Sequence, residues 1–107
     1  MTLNADRIYS ELIAAGDDWA DKDAAAILLE QTKSSVLANL AIASGCKTVS
    51  EAERHALASP DYRFHVEHLV EARKAANKAR VKYQAIQTLA ELRRSQESTR
   101  RQEMRLV

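Results

Sequence analysis

After Pro60 the chain runs to Val107 without a second proline or any glycine. Gly and Pro are the residues that punctuate a helix, so nothing in this stretch interrupts one. Ser59 is a capping residue type and Pro60 is preset for a first helical turn, which places the helix start there. Forty-eight residues at about 1.5 Å each would span roughly 70 Å. A compact domain of about 100 residues has a radius of gyration near 13 Å. Such a helix is expected to project beyond its own monomer and to need a partner.

The apolar positions of this helix are Tyr62, Val66, Leu69, Ala72, Ala76, Ala79, Tyr83, Ile86 and Ala90, in steps of three and four. That spacing is close to the 3.5-residue repeat of a left-handed coiled coil. Its middle is alanine, which lets a neighbouring helix approach closely but buries little area per turn. Tyr62, Val66, Leu69, Ala72, Ala76, Ala79, Tyr83 and Ile86 are the expected helix or oligomer interface, and the exposed seam is expected to promote self-association. After Leu92 the seam stops. Residues 93–107 read as a solvated, fraying helix end or as a segment that orders on binding.

Three further helices are expected upstream. One runs over about Ala5–Ala15, with Asn4 as N-cap and Gly16 at the left-handed position that ends it. A second spans about Asp18–Ser44, with Asp17, Asp18, Asp21 and Asp23 where a helix dipole favours negative charge. Its apolar surface, built on Leu29, Val36, Leu37 and Leu40, is broad enough for more than one packing neighbour. Gly45 ends it. A third covers Val49–Ala58, opened by Thr48-Val49-Ser50-Glu51, which matches the S/T-x-x-E capping box. The fold class is therefore all-α: a helical hairpin or bundle with one very long C-terminal helix and coiled-coil-like packing. The chain reads as one helical domain, with residues 1–59 an acidic body and 60–107 a long basic helix.

The composition agrees with this reading and excludes several functions. Hydrophobic residues make up 46%, much of it alanine, beside only 2 Gly, 1 Pro and 1 Cys. Cys46 has no partner for an intrachain disulfide. No apolar run approaches the roughly 18 residues of a membrane span, and the N-terminus carries acids instead of a signal-peptide pattern. A soluble, cytoplasmic protein is expected. His65 and His68 lie three apart, but no cysteine cluster or H-E-x-x-H motif accompanies them, so no metal is expected. There is no phosphate-cradling Gly loop and no nucleophile elbow. No cofactor and no catalytic activity are expected.

The net charge of +1 hides an asymmetry. Residues 1–59 carry five Lys/Arg against nine Asp/Glu, and residues 60–107 eleven against six. An acidic body with a basic arm points to an anionic partner or to head-to-tail self-association. The densest cluster is Arg73-Lys74-Ala75-Ala76-Asn77-Lys78-Ala79-Arg80-Val81-Lys82, with five cations and no acid. Lys74, Lys78 and Lys82 stand four apart on one face, where each like-charge pair costs an isolated helix about 0.2–0.5 kcal/mol. Phosphates would offset that cost and release counterions. An acidic protein surface would offset it too, and plain solvation remains the bland reading. The candidate nucleic-acid contacts are Arg73, Lys74, Lys78, Arg80, Lys82, Arg93 and Arg94. Tyr83 joins them as a ring that could stack on an unpaired base, although its place in the seam favours packing. Trp19 reads as a packing anchor.

Residues 75–84, AANKARVKYQ, resemble a helical segment of phage recombination mediators of the UvsY type. The tail LRRSQESTRRQEMRL resembles the C-terminal ends of small phage proteins. The resemblance covers about a third of the chain. It implies a helical, oligomeric accessory in the host cytoplasm that binds single-stranded DNA and helps load a recombinase, with Lys78, Arg80 and Tyr83 the positions of interest. The expected function is thus a phage-type accessory that binds single-stranded nucleic acid, as a recombination mediator. The alternatives are a structural or adaptor protein whose long helix docks onto a protein partner, and an inhibitor of a host factor.

Overall fold

In the computed structural model, which describes residues 4–106, the chain forms three helices: α1 Ala5–Ala43, α2 Val49–Leu57 and α3 Pro60–Leu106. No strand occurs among the described residues. The fold class is all-α, as read from the sequence, and α3 is unbroken from Pro60 to Leu106. No helix among the described residues is long and apolar enough to cross a membrane.

Local capping chemistry sets the helix ends. The Asn4 side chain accepts the Arg7 amide at 3.1 Å. Thr48 Oγ1 accepts the Glu51 amide at 3.3 Å, and Ser59 Oγ accepts the Asp61 amide at 3.2 Å. Each satisfies an amide that the first helical turn leaves without a partner. Gly45 adopts φ +71°, the left-handed conformation that lets the chain leave α1.

The number of helices differs from the expectation. The helices expected over Ala5–Ala15 and Asp18–Ser44 are one helix, and Gly16 lies inside it. Gly16 ends nothing, because it has no positive φ. A mid-helix glycine costs about 1 kcal/mol relative to alanine, and here its missing side chain is used for packing. The acids from Asp17 to Asp23 consequently sit mid-helix, far from the α1 N-terminus, so the dipole account given for them does not apply.

The chain divides into two compact units, Met1–Ala20 with Asn77–Val107, and Asp21–Ala76. The first, here the terminal unit, holds a small core of Ile8, Ala15, Ile86 and Ala90, with Leu12 and Tyr83 packed against it. Its two isoleucines contribute about 1.5–3 kcal/mol each by burial, and the alanines mainly permit close approach. In the second, the inner unit, Ala26 of α1, Ala56 of α2 and Ala76 of α3 are buried.

The α3 seam faces inward in both units. In the terminal unit Ala79, Ile86 and Ala90 are buried and Tyr83 half-buried; in the inner unit Ala76 is buried and Tyr62, Val66, Leu69 and Ala72 are half-buried. The expectation that this seam lies exposed is therefore corrected. Because α1 is one helix of 39 residues, part of it runs beside α3 in each unit and covers the seam from within the chain. Residues 94–106 continue α3 and are exposed on every side.

Candidate nucleic-acid interface

In the inner unit Arg73 and Lys74 part company. The Arg73 guanidinium holds two α1 carboxylates, with Nη1 donating to Asp23 at 2.8 Å and Nη2 to Glu30 Oε1 at 3.0 Å. Nε donates to the same Glu30 oxygen at 3.1 Å. The hydrogen bonds it donates to Asp23, then to Glu30, raise the Arg73 pKa above its ordinary value. Arg73 is thus an interhelix clamp, its guanidinium already held by two carboxylates. Arg suits this task because its planar fork reaches two acceptors at once. Lys74, one residue later, is exposed and pairs with no described carboxylate.

Two histidines of this unit make contacts within it. His65 Nε2 donates to the Leu29 carbonyl at 3.0 Å, and the His68 ring lies 5.0 Å from that of Phe64. No group of three or more metal-ligating side chains occurs among the described residues.

In the terminal unit α3 carries Lys78, Arg80 and Lys82, all exposed. None makes an ion pair with a described residue. Lys82 lines a shallow hollow of about 310 Å³ beside Glu11 and Asp18 of α1, so α1 acids temper its field. Further along, Arg93 is half-buried and its Nη2 holds Glu97 at 3.2 Å; its Nε is buried without a hydrogen-bond partner among the described residues. Arg94 is exposed. Of the expected pair, Arg94 is the one free to meet a ligand.

Tyr83 is committed to the terminal unit. Its ring packs on Trp19 with centroids 5.4 Å apart at 40°, and Cε2 lies 3.3 Å from where a Gly16 Cβ would stand. These contacts place Tyr83 in the packing of the seam. Trp19 is the anchor expected.

Arg100, Arg101 and Arg105 lay outside the candidate set. Helix through Leu106 puts them on the same rod as Arg94, all exposed. Asp23 and Glu30, the partners of Arg73, were also missed. Their pairing joins residues 50 and 43 positions apart, and no local pattern encodes that. Compared with protein-family models, with curated proteins and with solved structures, the chain found no match.

Proposed function

We propose that the chain is a non-catalytic accessory that binds single-stranded nucleic acid through the basic face of α3 in its terminal unit, with Lys78, Arg80, Lys82 and Arg94 contacting backbone phosphates. One observation carries this reading. From residue 72 to residue 90 α3 has no acid, and its cations in the terminal unit remain exposed and unpaired although α1 brings carboxylates to that same unit. Arg73, which does find carboxylates, shows what pairing looks like in this chain. With Tyr83 committed to packing, recognition rests on phosphates and carries no base information. The resemblance of residues 75–84 to recombination mediators supports single strands and a recombinase-loading role.

Fluorescence anisotropy with oligo-dT, titrated against salt, tests the reading. Three or four phosphate contacts should give a slope of log affinity against log salt of about −2 to −3.

A second reading rests on Val81, Leu89 and Leu92, which are 59%, 41% and 49% exposed. They flank Lys78 and Lys82 on α3, so an acidic amphipathic protein segment would fit the same face. Absence of oligo-dT binding at tens of micromolar protein selects that reading.

A further inference from the structure

Only part of α3 in the terminal unit is backed by packing. Lys78, Arg80 and Lys82 lie beside the stretch whose Ala79, Ile86 and Ala90 are buried. No Lys or Arg follows until residue 93, and Glu91 stands in that interval. A second group of cations, Arg94, Arg100, Arg101 and Arg105, lies on the bare end of the helix, where residues 94–106 are all exposed. Arg93 holds Glu97 at 3.2 Å, which takes the nearest acid away from Arg94, Arg100 and Arg101. None of these four arginines pairs with a described carboxylate.

The two groups share sides of the rod. Arg100 stands 18 residues after Lys82, which is five helical turns. Arg94 and Arg101 stand 14 and 21 residues after Arg80, close to four and six turns. An anionic chain laid along either side of the first group is therefore led to the second.

We infer that the two groups form one bipartite site for a nucleic-acid strand long enough to bridge them, so that strand length is the property α3 selects. The inference rests on the phosphate reading of α3 and adds a second anchor to it. Lys78 and Arg105 are 27 residues apart, about 40 Å along the helix. A stacked strand rising about 3.4 Å per nucleotide covers that in roughly twelve nucleotides, and an extended strand in about half as many. Lys82 and Arg94 alone are 12 residues apart, about 18 Å, so a tetranucleotide meets one group at a time. Once a longer strand engages one group, the other meets it at high effective concentration, and the second set of contacts adds affinity. A helix without tertiary packing is marginal in water, and phosphates on its arginines give the bare end a partner that the rest of the chain does not supply.

Fluorescence anisotropy of the full chain with labelled dT4 and dT16, each over a salt series, tests the inference. The slope of log affinity against log salt should be about −2 for dT4, from three contacts, and about −3.5 for dT16, from five. Arg100→Ala combined with Arg101→Ala should flatten the dT16 slope by about 1.4 and weaken its binding by about tenfold. Lys33→Ala, which removes an exposed cation of the inner unit, should leave both slopes unchanged. Equal slopes for the two lengths, with both lost on Lys78→Glu and Arg80→Glu, would overturn the bipartite site and leave the first group as the phosphate site. A dT16 slope indifferent to Arg100→Ala with Arg101→Ala would overturn it as well. Binding of neither length would overturn both the inference and the reading it rests on.

Discussion

Tyr83 Cε2 lies 3.3 Å from the point where a side chain on Gly16 would begin. Glycine in mid-helix is unfavourable by about 1 kcal/mol against alanine, and a contact this tight consumes that margin unless the ring retreats. The ring is backed by Trp19. Gly16→Ala should therefore change stability by less than about 0.5 kcal/mol in the native background, with the propensity gain and the clash opposed. In a Tyr83→Ala background the same change should stabilise by about 1 kcal/mol. Urea unfolding of the four proteins gives the comparison. Equal effects in both backgrounds would mean that the ring does not govern residue 16.

Arg73 is the cation of the basic cluster that the fold has already used. Arg73→Met should lower the melting temperature by a few degrees, and Arg73→Lys should not restore it, because an ammonium cannot span Asp23 and Glu30 as the fork does. The pH dependence follows from the direction of its shift. A raised pKa means that stability is fully present below the unfolded value and is lost as pH rises through the folded one. Both lie in strong alkali, so the Arg73 contribution should stay flat from neutral to mildly alkaline pH. Oligonucleotide affinity should change less than twofold in Arg73→Met. A loss as large as that of a Lys78 variant would return Arg73 to the ligand surface.

Lys78→Glu combined with Arg80→Glu should weaken oligo-dT binding by about tenfold or more at low salt and reduce the salt slope by at least about 1.4. Both residues are exposed, so circular dichroism should register little change in helicity. The loss should be similar across oligonucleotide sequences, because phosphate contacts do not read bases. Binding that survives the double change would locate the site elsewhere.

The segment after Arg93 makes no buried contact, since residues 94–106 are exposed throughout. Removing residues 98–107 should leave the unfolding free energy within about 0.5 kcal/mol of the intact chain. Hydrogen exchange should show amides in this segment opening far more readily than those near Ile86, because a helix without tertiary packing is marginal in water. The same truncation removes Arg100, Arg101 and Arg105 and should weaken nucleic-acid binding measurably. An unchanged affinity would confine the site to Lys78, Arg80, Lys82 and Arg94.

Helix boundaries were legible in the sequence wherever the controlling chemistry is local. Asn4, Thr48 and Ser59 each bond an amide two or three residues ahead, and Gly45 supplies a backbone angle that other residues rarely adopt. The α3 seam was legible as well, because a step of three or four decides which residues share a face. Periodicity names the apolar face but not what covers it. Only the tertiary structure decided that the cover is α1 of the same chain. Gly16 looked like a helix end by residue type and became a point of close approach because Tyr83, 67 positions later, packs there. Arg73 and Lys78 looked alike in a basic run. One met Asp23 and Glu30 and the other met water, because charge lies in the residue while a partner depends on which distant side chain the fold brings within reach.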